Sequence, residues 1–172
     1  FNVLGDAVDT LWVKGSGWDL ATITAEGYAP TQLDYLRRLA MLPSMTDTDM
    51  MRELRNACTD PKAPAPSVEA ILHAIIPQRF VDHTHADAVV AISNTSTGEA
   101  CLREIYGTDV LILPYVMPGF ILAKQVYEAT RQQDWSVLKG IVLLHHGIFT
   151  FADDARTSYA NMIELVSRAE RY

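Results

Sequence analysis

The sequence predicts a mixed α/β domain, because short apolar runs typical of buried strands alternate with segments of helical periodicity. Three runs are short, rich in β-branched residues and bounded by turn residues: Ala88–Ile92, Val110–Leu113 and Ile141–Leu144. With 172 residues, the chain can bury about two-thirds of its unfolded surface around one core. We therefore expect a single layered α/β domain.

Composition and charge argue against several classes of protein. Hydrophobic residues make up 49% of the chain and charged residues 20%, as in soluble globular proteins. The net charge of −7 argues against a nucleic-acid or anionic-membrane surface, since both require clustered Lys and Arg. There are only two cysteines, no secretory leader and no apolar run of about 18 residues. We expect a cytoplasmic protein without a disulfide framework.

The N-terminal segment alternates apolar and polar residues around a Gly5-Asp6 turn and predicts a β-hairpin. The hairpin ends in the glycine-rich run Lys14-Gly15-Ser16-Gly17. Such a run after a strand forms either a nest of backbone N–H groups that binds an oxyanion or phosphate, or a simple turn. It lacks the spacing of a nucleotide-binding P-loop, which argues against a nucleotide ligand.

Helical periodicity recurs along the rest of the chain. Capping-box spacing that begins at Thr46 predicts one helix start. The stretch Thr59–Pro66 contains three prolines and predicts an extended loop, after which Ser67 is a good N-cap for a helix that Pro77 ends. The apolar residues expected on buried helix faces are Leu33, Leu36 and Leu39; Met50, Met51 and Leu54; Phe120, Ala123, Val126 and Tyr127; and, behind an Asp154 cap, Tyr159, Met162, Ile163 and Val166.

Two of the five histidines, His83 and His85, are two residues apart at the start of an apolar segment. If residues 81–91 are extended, both imidazoles project from one face with Cα atoms roughly 6.6 Å apart, so that they can bind one ion. Either His145 or His146, at the end of a predicted strand and before a glycine, offers a third imidazole. Together they predict an open three-histidine metal site, although a single histidine near a strand is usually a core or surface residue.

Three further side chains each have two interpretations. Glu69 lies in the first turn of the helix after the proline loop, where a carboxylate interacts favourably with the helix dipole by about 0.3–1 kcal/mol. Near a divalent cation the same carboxylate is a candidate general base. His73, four residues later, shares its helix face, and we expect it to be a core histidine rather than a partner. Asp82 either supports a ligand imidazole or is a solvated charge.

In this order the motifs resemble the class II aldolase/adducin family. The similar segments are "LWVKGSG", "PSVEAILHAIIPQRFVDHTHADAVVAI", "LPYVMPGF" and "GIVLLHHGIFTFADDARTSYANMIELVSRAE", which span nearly the whole chain. A glutamate ahead of H-x-H with H-G downstream is far more specific than any one of these motifs. The resemblance implies that residues 1–172 form one domain of this family. We expect it to be truncated at both ends, since the chain lacks an initiator Met and a helical pattern still runs at Tyr172.

The resemblance implies a three-layer α/β/α sandwich and a divalent metal, normally Zn²⁺, bound by the H-x-H pair and by the histidine immediately before the glycine. These positions are His83, His85 and His146, which leaves His145 as a neighbour. The catalytic acid-base carboxylate of the family falls on Glu69. The implied activity is that of a lyase, a metal-dependent aldolase that cleaves a ketose phosphate or related sugar by stabilising an enediolate.

The resemblance also implies where the phosphate of a small-molecule sugar phosphate binds. A hydroxyl-glycine pair after a strand and a serine ahead of the catalytic glutamate match Ser16-Gly17 and Ser67, and we include the adjacent Gly15 among the substrate-binding residues. Two features of the family differ here. Val68 stands where a second hydroxyl is expected, and the family's N-terminal asparagine has no counterpart in this chain.

Within the family, the segments are most similar to the aldolase half of long bacterial bifunctional proteins, which are rhamnulose-1-phosphate aldolase-like and fused to a short-chain dehydrogenase. This predicts a C-terminal dehydrogenase domain, and the family predicts a homo-oligomer such as a tetramer. Two alternative functions stay open. One is a sugar-phosphate 4-epimerase, although that pattern usually has Asp at the position of Glu69. The other is a non-catalytic adducin-like binding module, which tends to lack the metal histidines.

Overall fold

The computed structural model describes residues 4–172, and in this part of the chain the predicted mixed α/β class is confirmed. One short 3-10 helix, Ala25–Gly27, accompanies the strands and α-helices. In chain order these are β1 (Thr10–Lys14), β2 (Tyr28–Gln32), α1 (Leu33–Met41), α2 (Asp47–Ala57), α3 (Ala70–Ile75), β3 (Phe80–Thr84), α4 (Asp87–Ser93), α5 (Gly98–Tyr106), β4 (Val110–Leu113), α6 (Phe120–Thr130), β5 (Gly140–Leu143), β6 (Gly147–Ala152) and α7 (Ala155–Glu170).

The described chain divides into two compact units. The first unit comprises the described residues up to Ile75 together with Met117–Arg131, and so contains β1, β2, α1, α2, α3 and α6. The second comprises Ile76–Val116 and Gln132–Tyr172, and contains the other four strands with α4, α5 and α7. Each unit has an apolar cluster of its own.

In the first unit, β1 and β2 form an antiparallel pair that runs from Thr10↔Gln32 to Lys14↔Tyr28. The helices of this unit pack on a cluster whose large buried members are Leu36, Leu39, Met50, Leu54, Ile71 and Phe120. The predicted cap of α2 is confirmed, since the Thr46 hydroxyl accepts a hydrogen bond from the backbone N–H of Asp49 at 3.1 Å.

In the second unit, four strands form one sheet in the order β3-β6-β5-β4. The β3–β6 and β6–β5 pairs are antiparallel, whereas β5 and β4 are parallel. The cluster of this unit has among its members Val89, Leu102, Tyr106, Ile112, Val142, Ile148, Met162 and Leu165. The predicted strands at Val110–Leu113 and Ile141–Leu144 are confirmed as β4 and, one residue earlier, as β5.

One strand prediction is wrong. Ala88–Ile92 lies in helix α4, because a run of five apolar residues is too short to distinguish a buried strand from a buried helix. For the N-terminal hairpin, β1 is present and pairs with β2, about fifteen residues downstream along the chain. The other strand proposed for that hairpin falls on residues 1–3, outside the described residues.

Three residues expected on buried helix faces are exposed. Met51 is 42% exposed, because the buried face of α2 follows Met50, Leu54 and Ala57. Tyr159 and Ile163 are 63% and 50% exposed. The buried face of α7 is instead formed by Ser158, Met162, Leu165 and Ala169. In residues 4–172, no helix is both long and apolar enough to cross a lipid bilayer.

Candidate metal centre

His83 is held in a defined orientation by strand β6. It lies in β3 opposite Phe149, and its ring stacks on the phenyl ring with centroids 3.9 Å apart and planes at 13°. The Nδ1 atom is 3.0 Å from the carbonyl oxygen of Ile148. Because a carbonyl only accepts, Nδ1 carries the hydrogen of the neutral imidazole, and Nε2 has the lone pair that a metal requires.

The other two imidazoles reach His83 through the register of the sheet. Thr84 pairs with Ile148, so the antiparallel register brings His85, one residue past the end of β3, to the start of β6. His146 closes the three-residue loop between β5 and β6, and its N–H donates to the carbonyl oxygen of Leu143 at 3.1 Å. This arrangement places the third histidine at the same edge as the H-x-H pair.

The three rings form a compact group. Ring centroids are 4.9 Å apart for His83 and His85, 5.3 Å for His83 and His146, and 4.8 Å for His85 and His146. One potential ligand atom from each histidine lies within 4.8 Å of the others, and these residues could hold a metal ion. His145 is outside this group; it has a φ of 59°, and its Nδ1 contacts Asn94 Oδ1 at 2.8 Å.

Gly147 allows this close approach. A Cβ atom at this position would lie 2.6 Å from the carbonyl oxygen of Thr84, 3.0 Å from Cδ2 of His85 and 3.1 Å from Cε1 of His83. The first distance is below any normal contact and involves backbone. Position 147 therefore accepts only glycine without displacement of the strand that carries the H-x-H pair.

The donor set fits a zinc-like divalent cation. Three neutral imidazoles suit zinc and related transition metals better than calcium or magnesium, which prefer oxygen ligands. Zn–N bonds of about 2.0–2.1 Å in a tetrahedron require nitrogen atoms about 3.4 Å apart, so modest side-chain rotations are enough to bind the ion. His83 and His146 are half-buried and His85 is exposed, which leaves the open coordination position typical of catalytic sites.

The residues predicted to bind phosphate come together in the first unit. The N–H of Ser16 donates to the carbonyl oxygen of Ala65 at 2.9 Å. The N–H of Ser67 donates to the carbonyl oxygen of Lys14 at 3.1 Å. The N–H of Gly15 donates to the carbonyl of Gly27 at 2.8 Å. The N–H groups of Gly15 and Ser16 are thus used within the protein, which supports a turn rather than an anion nest at these two residues.

Glu69 lies next to this turn but just outside helix α3. Its carbonyl accepts the first helical bond from the N–H of His73 at 3.0 Å, and its own N–H donates to Ser67 Oγ at 3.2 Å. Glu69 therefore occupies the N-cap position rather than the predicted first turn, and Ser67 caps the turn before the helix. The Glu69 side chain is half-buried, with Oε1 screened from solvent, and His73 is also half-buried.

Asp82 neither supports a ligand imidazole nor is a solvated charge, the two interpretations given for it above. It is half-buried in β3, and its Oδ2 accepts a hydrogen bond from the hydroxyl of the buried Ser158 in α7 at 2.6 Å. Successive side chains of a strand point to opposite faces, so Asp82 faces away from His83. The residues that do support the histidines, Ile148 and Phe149, have no recognisable signal in the sequence.

Comparison with known proteins gives a consistent result. The model of the family described as Class II Aldolase and Adducin N-terminal domain matches residues 4–172. YuxG of Bacillus subtilis (strain 168), described as an uncharacterized oxidoreductase, is 36% identical over 168 residues. The match covers 98% of this chain but 24% of YuxG, so the chain spans about a quarter of the length of this relative.

Solved structures share the fold. The N-terminal class II aldolase domain of a conserved protein from Thermoplasma acidophilum is 40% identical, with a TM-score of 0.87 over 95% of this chain and 75% of that one. YgbL of Klebsiella pneumoniae, described as a candidate aldolase/epimerase/decarboxylase, is 16% identical, with a TM-score of 0.66 over 94% of this chain and 72% of that one. At that identity the second likeness concerns the fold alone.

Proposed function

The chain belongs to the class II aldolase and adducin family, and from that premise we propose that it is a metal-dependent aldolase, a lyase that cleaves a ketose phosphate or related sugar. The observation that carries the proposal is the convergence of His83, His85 and His146, with ligand atoms within 4.8 Å of one another. A binding module without chemistry has no need of such a site.

We propose that these three histidines hold Zn²⁺. When bound, the ion would polarise the substrate carbonyl and stabilise the negative charge that develops as the carbon–carbon bond breaks. The protein's own contribution is to hold the imidazoles in a fixed orientation. For His83 this follows from its contacts with the Ile148 carbonyl and the Phe149 ring.

Glu69 is the proposed proton carrier. In cleavage, the hydroxyl on the carbon that becomes the aldehyde gives its proton to solvent, and the electron pair of the broken bond stays with the fragment that keeps the carbonyl. The protonated Glu69 carboxyl then delivers a proton to the carbon next to the carbonyl, which holds that electron pair, and Glu69 regains a proton from solvent. The half-buried Glu69 side chain, with Oε1 screened from solvent, supports such a role because a proton carried there is shielded from bulk water.

For the phosphate group of the substrate, we propose the turn formed by Gly15, Ser16 and Gly17 together with Ser67. Because the N–H groups of Gly15 and Ser16 are bonded within the protein, the turn would contribute its shape, and the Ser67 hydroxyl the hydrogen bond. The Ser67 hydroxyl accepts the N–H of Glu69, and a hydroxyl in that position can still donate its own hydrogen to a phosphate oxygen. The same bond ties Ser67 to the proposed proton carrier. Substrate binding and proton transfer would then depend on one short segment of chain.

The test of this function is a cleavage assay over ketose 1-phosphates, with detection of the aldehyde and the triose fragment. We expect Glu69→Gln to lower kcat by about 10²–10⁴-fold with zinc content unchanged. His83→Ala should lose both the metal and the activity. The matched control Glu99→Gln, at an exposed helix position, should retain both.

Other outcomes of this assay identify the alternatives. Metal-dependent interconversion of sugar phosphates without any fragment would indicate a 4-epimerase and overturn the aldolase proposal. Protein that binds no divalent ion at stoichiometric levels and cleaves no sugar would indicate an adducin-like binding module. Full activity of Glu69→Gln would remove Glu69 from the mechanism.

We also propose that the chain is part of a longer, homo-oligomeric protein with a C-terminal dehydrogenase domain. The length of YuxG and the word oxidoreductase in its name support the longer protein. Immunoblotting of the native source should then detect a species much larger than the 19.1 kDa of this chain. Light scattering that finds a fully active monomer would contradict the oligomer.

A further inference from the structure

The residue before His146 has an unusual backbone conformation. Within residues 4–172, His145 is the one non-glycine residue with a positive φ, at 59°. For a residue with a Cβ atom this left-handed conformation is strained by on the order of 1 kcal/mol and persists only when surrounding contacts hold it. His145 is exposed, and its ring has one edge-to-face contact with Tyr115, with centroids 5.9 Å apart, besides the polar contacts of its backbone and ring.

The contacts come from the C-terminal end of α4. The N–H of His145 donates to Oγ of Ser93 at 3.0 Å, and Nδ1 of its ring is 2.8 Å from Oδ1 of Asn94. Ser93, the last residue of α4, and Asn94, its C-cap, are themselves held in place. Ser93 Oγ donates to the carbonyl oxygen of Val90 at 3.0 Å, and Asn94 Nδ2 donates to the same oxygen at 2.9 Å.

The direction of these bonds is determined by their chemistry. Because Asn94 Nδ2 is used by Val90, the acceptor Oδ1 is the amide atom turned toward His145. An amide oxygen only accepts, so Nδ1 of His145 is the donor. A glycine at position 145 would adopt the same φ without strain but would lack this second bond.

From this geometry we propose that Ser93 and Asn94 are positioning residues for the metal centre and act through His145 to fix the direction of His146. The peptide unit that links His145 to His146 is set by the left-handed residue, and His146 supplies the imidazole 5.3 and 4.8 Å from its two partners. A ligand must be held within about 0.5 Å of its productive position, so release of this loop weakens the site. The inference rests on the metal site of the proposed function.

The test measures zinc affinity by competition with a chromogenic chelator and the visible spectrum of the Co²⁺-loaded protein. We expect Asn94→Ala and Ser93→Ala to lower zinc affinity by about 10–100-fold, with an altered Co²⁺ spectrum. Asn94→Asp keeps the acceptor oxygen and should stay close to the native protein. Thr95→Ala is the matched control, because the Thr95 hydroxyl donates to Ile92 and the exposed side chain lies next to Asn94.

A double-mutant cycle tests the route through His145. His145→Gly should weaken zinc binding about as much as Asn94→Ala, and the combined variant should be no worse than either alone. If the native protein binds zinc, and both Asn94→Ala and Ser93→Ala keep its zinc affinity and Co²⁺ spectrum, this inference is overturned. The proposed function is then left intact. Loss of fold in Asn94→Ala, an exposed position, would also overturn it. Absence of zinc binding by the native protein would overturn both.

Discussion

Gly147 allows the strand that carries His83 and His85 to lie close to β6. The methyl group of Gly147→Ala would meet the Thr84 carbonyl at 2.6 Å and the rings of both His85 and His83 at 3.0–3.1 Å. We expect a loss of stability of about 1–3 kcal/mol from overpacking, together with a large loss of zinc affinity as β3 moves away from β6. Urea unfolding and chelator competition measure the two effects.

Gly107→Ala is the control that separates these two effects. Unlike Gly147, Gly107 has a positive φ, at 57°, and a Cβ atom there meets nothing within 4 Å. The variant should lose stability through backbone strain and keep its zinc affinity. If Gly147→Ala likewise lost stability but kept its zinc affinity, the close approach at position 147 would not be what shapes the site.

At the residue scale, the candidate metal-binding histidines could be predicted from the sequence, but the residues that hold them in place could not. The H-x-H spacing predicts that His83 and His85 lie together, and their ring centroids are 4.9 Å apart, although the extended segment ends at Thr84 rather than at residue 91. The family resemblance selects His146 rather than His145 as the third ligand. In the structure His145 has a left-handed backbone conformation and lies outside the histidine group. Nothing in the identity of a serine and an asparagine at positions 93 and 94 predicts that they hold this turn, because the contact joins residues about fifty positions apart.

At the scale of elements, boundaries marked by side-chain chemistry were predictable. The caps at Thr46 and Asp154 are both present, because a side-chain oxygen that satisfies a free N–H is a local signal. Helix α4 was not predictable from its apolar residues, since a run of five fits both a strand and a helix. The exposure of Tyr159 and Ile163 shows a similar limit: a stripe at helical spacing does not by itself define the buried face.

The Tyr106 side chain joins helices α5 and α7. Its buried hydroxyl, at the end of α5, donates to the carbonyl oxygen of Leu165 in α7 at 3.1 Å. Tyr106→Phe keeps the ring but loses this bond, so we expect the free energy of unfolding to fall by about 1 kcal/mol at pH 7. The exposed Tyr159→Phe, also a loss of one hydroxyl, should leave the unfolding curve unchanged.

The same hydroxyl predicts a dependence on alkaline pH. Burial raises the pKa of Tyr106 to about 12, against a smaller lowering effect of the nearby Arg168 guanidinium. The unfolded chain therefore loses this proton at lower pH than the folded chain, and stability falls as pH rises from about 10 towards 12. Tyr106→Phe lacks this contribution, so the stability difference from the native protein should shrink over that range. A difference that stays constant from pH 7 to 11 would contradict the buried titration.

At the scale of the whole molecule, pairing between distant segments limits prediction most. β1 pairs with a strand that had no signal as its partner, and β6, which carries Gly147, was not predicted at all. The three histidines nevertheless converge because β3 and β6 are neighbours in the sheet. Sequence patterns indicate some of the strands, such as β4 and β5, but the order in which strands join depends on contacts between residues far apart in the chain.

Because the histidines converge only in the folded chain, zinc binding should stabilise the folded state of the whole molecule. His83 and His146 are 63 positions apart along the sequence and come together only through the native β3–β6 pairing, so an ion that needs all three histidines binds the folded state. At a free zinc concentration of 100 times Kd, this linkage adds about 2.7 kcal/mol and should raise Tm by roughly 5–10 °C. A chelator should reverse the shift. The exposed His85→Ala should keep the Tm of the metal-free protein and show no response to zinc. An equal rise in that variant would mean that zinc binds elsewhere.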